Sequence, residues 1–316
     1  MTGKWFFIFL LPLVVVGCGG PLPPPDPYNL AEAKDNLSKG NYWYDRGCYP
    51  ESERYFAGGL ESARLSDDVL LIIRAQNSLG AAALAQGELG AAGTYLEQAL
   101  NVTTGHPDQP ELDKVLGNLG ALAFKMGKAK DAESFWKQAA EIAEERGLNA
   151  ASYYCDLARL YLAGGRQEEF GVMTDRALAA AEEAALVQSN GYEAVLADAL
   201  NLAGQKAGAA GETALAEERF LKALEMDRKV ENTVGLAQDT ESLGQLMIKL
   251  ERYSEAAGYL DRAFFLWLAM SRDKEADRVL AELGRLSKGH KTPASVSPYQ
   301  AARRNPGAHR LTSQCP

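Results

Sequence analysis

Three stretches of the chain align without a gap: "NSLGAAALAQGELGAAGTYLEQAL" (77–100), "GNLGALAFKMGKAKDAESFWKQAA" (117–140) and "ESLGQLMIKLERYSEAAGYLDRAF" (241–264). Each carries a Leu-Gly pair, a turn seven residues on, then a small residue, a large one four later and a small one three after that. Apolar residues spaced by three and four predict amphipathic helices. The chain from Ala31 to Lys288 supports this, being rich in Ala, Leu and Glu and holding only Pro50, Pro107 and Pro110, each at a break. The frame fits six times. Its first-helix small residue is Gly40, Gly80, Gly120, Ala158, Gly204 and Gly244, and its second-helix small residue is Ser52, Ala92, Ala132, Phe170, Ala216 and Ala256. The large residue is Phe56, Leu96, Trp136, Thr174, Phe220 and Leu260, followed by Gly59, Ala99, Ala139, Ala177, Ala223 and Ala263. Two antiparallel helices approach closely only where side chains are small, so the reading sets Gly120 against Ala132 with the large residues filling the space beside them. The turns are marked by Gly47, Gly87, Gly127, Gly165 and Gly211, with Glu251 in the sixth, at sites where glycine can take the left-handed helix-ending conformation.

This pattern resembles the tetratricopeptide repeat (TPR), W-x2-L-G-x2-Y followed by A-x3-F over about 34 residues. The resemblance implies an all-α, α-α superhelix of about six helix pairs, each burying its apolar face on its neighbours. The repeats fall near 33–66, 73–106, 113–146, 151–184, 197–230 and 237–270, within a solenoid over 30–289. Second-helix positions are 40, 40, 38, 46 and 40 apart, so the helices are longer than the consensus, as in the extended repeats of kinesin light chain. The fourth repeat departs most, with Phe170 and Thr174 where a small and a large residue belong, and the long step around "VQSNGYE" (187–193) predicts a kink or subdomain junction. Residues 271–289 read as an amphipathic capping helix. The basic tail 290–316 lacks periodicity and is expected to be disordered.

Ahead of the repeats, Trp5 to Gly17 carries no charge behind Lys4. The run is too short to span a bilayer, which takes about 20 residues, and reads as a secretory signal over 1–17. Val15-Val16-Gly17-Cys18 resembles the bacterial lipobox. That resemblance implies a diacylglyceryl group on Cys18, cleavage before it and a fatty acyl group on the new N-terminus, with no other cofactor. Several acyl chains hold a protein on a membrane where one does not. Gly19 and Gly20 leave out the Asp that retains enteric lipoproteins in the inner membrane, so the expected address is the outer membrane facing the periplasm, with the inner membrane as the alternative. "PLPPPDP" completes a proline-rich linker over 18–29.

The formal charge of −9 argues against nucleic acid as a partner. Three cysteines besides Cys18 are too few for a disulfide framework. One pair is an option, and two buried thiols with a frayed terminal one is the favoured reading. Histidines stand only at 106, 290 and 309, and no metalloprotease, serine-hydrolase or P-loop motif occurs. The adjacent carboxylates Glu182-Glu183 and Glu217-Glu218 point about 100° apart on a helix and read as solvated surface. The chain reads as a non-enzyme.

In the TPR family the first helix of each pair lines a concave groove. Carried onto this chain, the resemblance assigns the groove Asn41, Tyr44, Arg74, Asn77, Lys114, Asn118, Lys125, Cys155, Asp156, Arg159, Asn201, Gln205, Glu241 and Gln245. The asparagine amides suit an extended peptide backbone, and Arg74, Lys114 and Lys125 form a basic section suited to an acidic segment or a carboxylate. Together these features point to a lipid-anchored scaffold that binds envelope proteins or peptide segments and supports assembly of a larger complex, similar in layout to the pilotin lipoproteins of type IV pili. Structural self-association as a homo-oligomer is the alternative. An enzyme acting on the cell wall is a weaker third.

Overall fold

The helix pairs follow from where the chain can turn and where it can be squeezed. In the computed structural model, which describes residues 27–107, 110–187, 192–289 and 297–304, six pairs succeed one another. They are α1 (Tyr28–Asp45) with α2 (Tyr49–Leu65), α3 (Val69–Gln86) with α4 (Leu89–Gly105), and α5 (Leu112–Lys125) with α6 (Ala129–Glu145). Next come α7 (Ala151–Ala163) with α8 (Gln167–Val187), α9 (Glu193–Ala210) with α10 (Thr213–Lys229), and α11 (Thr233–Lys249) with α12 (Tyr253–Ala269). Helices α13 (Asp273–Gly289) and α14 (Ser297–Arg304) finish the described chain. The signal and the lipidation site at Cys18 lie outside the described residues. The linker ends sooner than its reading to residue 29, because α1 begins at Tyr28 behind Pro27, a residue suited to a helix start. Among the described residues no helix is long and apolar enough to cross a membrane.

Each helix packs on the next, and each odd-numbered helix from α1 to α9 also packs on the odd-numbered helix that follows. Elements that skip a neighbour and still touch lie on the tighter curve, so the odd helices form the inner, concave wall of a superhelix. Six turns within the pairs share one device. An N–H just past the helix donates back across the turn to the carbonyl five residues earlier, as from Lys128 to the Ala123 carbonyl at 2.9 Å and from Arg252 to the Met247 carbonyl at 2.9 Å. This is the Schellman closure, with a left-handed residue before the donor. Glycine fills that position five times, and Glu251 takes φ 58° in the sixth. Turns between pairs use the same bond with Asp67, Gly147, Glu231 and Ser271 at positive φ. Three of those four carry no glycine to announce them.

The close approach inside each pair differs from its sequence reading. The glycine of the first helix accommodates the large residue of the second rather than the small one. A Cβ on Gly120 would lie 2.6 Å from Trp136 Nε1, and one on Gly204 or Gly244 would lie 2.6–2.7 Å from Phe220 or Leu260. Trp136 is thereby seated deeply enough to donate its indole N–H to the Gly117 carbonyl at 2.9 Å. The fourth repeat keeps its packing by exchanging sizes. Ala158 replaces the glycine, Thr174 replaces the large residue opposite, and Phe170 supplies the bulk one turn earlier, all buried.

The expected kink or junction near 187–193 falls mostly outside the described residues, and the core continues on both sides of it. One apolar cluster runs from α3 to α10 through Ala181, Leu196 and Leu200, and a second begins with Ala207 and Ala216 and continues to α14. The interruption falls later, beside buried Asn201, Asp227, Asp239, Thr240 and Glu241. Part of the tail expected to be disordered is helical. Tyr299 of α14 packs edge-on against Phe264 at 5.4 Å, and Arg303 pairs with Asp273 and Asp277. Cys48 is disulfide-bonded, against the favoured reading of two buried thiols, while Cys155 is free and buried. The superhelix also brings its ends together. Arg46 in the α1–α2 turn pairs with Glu231 in the α10–α11 turn, and the Arg272 guanidinium lies 5.8 Å from the Tyr49 ring centroid.

Candidate functional site

Because side chains three and four apart on a helix share a face, the odd helices present rows of polar residues to the concave wall. These rows form cavities rather than one uniform trough. Near the N-terminus, α1, α3 and α5 enclose about 560 Å³ lined by Asn41, Arg74, Asn77 and Lys114 among others. The basic section read from sequence is largely neutralised here. Arg74 Nε donates to Glu111 at 2.8 Å and Lys114 Nζ pairs with the same carboxylate at 3.0 Å, with Glu111 itself buried. The amides are also engaged, Asn118 donating to Asn77 Oδ1 at 2.9 Å. Glu111 lies in the turn before α5, outside the frame that assigned the groove, and a carboxylate three residues before Lys114 was the signal for it.

Toward the C-terminus the wall carries two adjoining cavities. One, of about 340 Å³, is lined by Arg159, Asn201, Gln205, Glu241 and Gln245 with Arg278. Most of its polar groups are held by one another. Gln205 donates to Asn201 Oδ1 at 2.7 Å, and Glu241 accepts from the Trp267 indole at 3.0 Å and from Arg278 at 2.7 and 2.8 Å. Gln245 donates to Glu282 at 3.2 Å. Arg159 bridges Asp156 and Asp198. Burial raises the Asp156 carboxyl to about 6, opposed by Arg159 and reinforced by Asp198.

The other cavity, of about 490 Å³, lies between α5, α9, α11 and the start of α13, and is lined by Lys125, Asp198, Asp227, Asp239 and Arg272 among others. Asp227 ends α10 and Asp239 sits within α11, both buried. Asn232, which caps α11 through Gly235 N–H, donates to Asp227 Oδ1 at 2.9 Å, and Asn201 donates to Asp239 Oδ1 at 2.6 Å. Burial holds both carboxyls well above the usual range, and their mutual proximity adds to this for Asp239. Gly235 is what lets Asp227 in, since a Cβ there would collide with its carboxyl. Lys125 is pushed down by desolvation and then by the Arg272 charge.

Two groove assignments change. Cys155 is fully buried, and burial pushes its thiol well up, so it lines nothing. Tyr44 packs edge-on against Tyr49 at 5.3 Å, and burial raises its phenol to about 12. Tyr44, Asn118, Cys155 and Asp156 do not line the cavities described, whereas the other assigned residues do. The sequence frame missed Glu111, Asp227 and Asp239.

Residues 111–169 match the family model described as "Tetratricopeptide repeat". No curated protein matches the chain. Among solved structures, the chain is similar to a Rap protein complexed with Competence and Sporulation Factor, at 17% identity and a TM-score of 0.62, covering 77% of this chain and 66% of that one. It is also similar to aspartyl phosphate phosphatase F from Bacillus subtilis, at 15% identity and TM-score 0.58, covering 88% and 70%. A third is a chain of the APC/C hetero-tetramer Cut9-Hcn1, at 15% identity and TM-score 0.57, covering 90% and 55%. The chain thus spans just under two thirds of the Rap protein's length. These likenesses show the fold alone: a superhelix of helix pairs in a tetratricopeptide-like arrangement.

Proposed function

We propose that this chain is a lipid-anchored, periplasm-facing scaffold whose concave wall binds an envelope protein through an extended peptide segment, without catalysing a reaction on it. The observation that carries the reading is the run of polar cavities along the inner face of α1 to α13, formed by side chains from helices far apart in sequence. A wall of amides and charges whose positions are fixed by packing suits a ligand that offers backbone groups of its own. The similarly folded Rap protein, complexed with Competence and Sporulation Factor, supports the use of this fold to hold another molecule. The anchor rests on the lipobox-like Val15-Val16-Gly17-Cys18.

A photo-crosslinking residue at Asn41, which is exposed and lines the N-terminal cavity, tests the groove in living cells. The expected result is one discrete envelope protein joined to the chain. A ladder of the chain with itself would replace the scaffold reading with self-association, and an adduct formed equally from the convex face would remove the groove from it. Labelling with a palmitate analogue, expected in the wild type and lost in Cys18→Ala, tests the anchor.

A further inference from the structure

The cavity between α5, α9, α11 and α13 holds two unmet demands of opposite sign. On its floor, Asp227 and Asp239 have no cationic partner among the described residues, and Asp239 Oδ2 is buried with no hydrogen-bond partner although the residue is only 1% exposed. Elsewhere on its lining, Arg272 keeps a buried Nε with no acceptor, and Lys125, an exposed residue at the rim, forms no ion pair with a carboxylate among the described residues. Buried polar atoms without partners cost the fold stability, and here two of opposite character border one space. Of the acidic residues nearby, Asp198 is engaged by Arg159, and Glu275, whose charge is felt by Lys125, forms no ion pair with Lys125 or Arg272 among the described residues. The volume of about 490 Å³ falls within the range of pre-formed small-ligand sites, roughly 300–1,000 Å³.

Resting on the groove reading above, we infer that this cavity takes a short peptide with both termini free, its ammonium on Asp227 and Asp239 and its carboxylate on Lys125 and Arg272. An ammonium offers three donors, enough for Asp239 Oδ2 and the open positions of Asp227, while a carboxylate offers the acceptors that Arg272 Nε lacks. A metal ion fits less well. Among the described residues no group of three or more His, Cys, Asp or Glu side chains is placed to hold one, and the cationic side of the cavity would repel it.

The probe is trialanine, titrated calorimetrically into the folded full chain beside its N-acetylated, C-amidated and doubly blocked forms and beside acetyl-Lys-Ala-Ala. Saturable binding of trialanine is expected, with each single block weakening it at least tenfold. In Asp239→Asn the penalty for N-acetylation should disappear, and in Arg272→Gln the penalty for C-amidation should. Both variants replace an ionisable group by a neutral amide, and their far-UV spectra and unfolding midpoints establish that they are folded. Equal binding of the doubly blocked peptide, equal binding of acetyl-Lys-Ala-Ala, or no saturable binding of trialanine overturns the inference. Any of these together with a retained Asn41 adduct leaves the groove reading standing, whereas loss of that adduct fails the groove reading itself.

Discussion

At the N-terminal end of the groove, buried Glu111 is met by Arg74 and Lys114. At the other end, buried Asp227 and Asp239 meet no cation among the described residues, only the amides of Asn232 and Asn201. Both arrangements use a carboxylate in a wall of packed helices, and the difference is the source of compensation. Two cations keep Glu111 paired whatever else occupies the cavity, so that end is complete as it stands. The aspartates are instead pushed above the usual carboxylate range, because burial without a cation disfavours charge. The same fold has thus built one cavity that is internally satisfied and one that is left asking for a partner. The outer wall gives a third case. Glu133 accepts from Lys137, Arg166 and Tyr161 and is held down to about 2, Lys137 contributing most.

Four experiments test how far this contrast goes. The largest effect is expected from Gly235→Ala, whose Cβ would collide with the Asp227 carboxyl. Overpacking of this kind costs about 2 kcal/mol, and chemical denaturation should show that loss shrinking sharply in an Asp227→Ala background. An undiminished loss would mean that the crowding lies elsewhere. Next, Glu111→Gln should cost about 1–2 kcal/mol, since charge-assisted bonds to a buried acceptor are weakened while the half-exposed cations return to water. A neutral result by the same method would remove the difference between the two cavities.

Asp239→Asn should act in the opposite direction. Its amide removes a buried carboxyl whose charge is disfavoured and keeps an oxygen for the bond from Asn201, so the variant should be more stable than wild type at pH 8 by on the order of 1 kcal/mol. The sign follows from linkage. Both aspartates have folded pKa values raised above the unfolded value of about 3.9, so their contribution is full below that value and is lost as pH rises through the folded ones. Wild-type unfolding midpoints should therefore decline above about pH 4 in a manner absent from the Asp227→Asn, Asp239→Asn double variant. Glu133 runs the other way, its contribution being lost only as pH falls toward 2. Smallest of all, Arg74→Gln leaves Glu111 with Lys114 and should change stability by about 0.5 kcal/mol or less, since Arg74 is nearly half exposed.

The helix pairs were legible because each repeat solves the same steric problem. A glycine on one helix and a large side chain on the other recur at fixed spacing, as at Gly120 and Trp136, and no tertiary information is needed to see them. Even so, the partner of that glycine was misread, since spacing along a helix does not say which of two facing residues it receives. Turns at Gly87 and Gly211 were equally open to reading. Those at Asp67, Glu231 and Ser271 were not, because ordinary residues there adopt the left-handed conformation only under the pull of the surrounding packing. The concave face could be assigned by resemblance to the repeat family, but its charge pairing joins residues about 37 apart, as Arg74 with Glu111 and Arg278 with Glu241. Asp227 and Asp239 lie on different helices across a turn, so neither pattern nor neighbourhood in sequence marks them as a pair. Helix α14 is eight residues long and held by Tyr299 among distant phenylalanines, which leaves little local signal to find.

The contact of Arg46 with Glu231 changes how the array should come apart. Repeat proteins behave as one-dimensional chains whose terminal units fray first, each having a single neighbour to hold it. Here the first pair has a second neighbour, because its turn also meets the fifth and sixth. A line closed on itself has no cheap place to begin melting, so losing the first repeat should also expose the far end. Hydrogen exchange would register this as α1 and α11 opening together rather than in sequence.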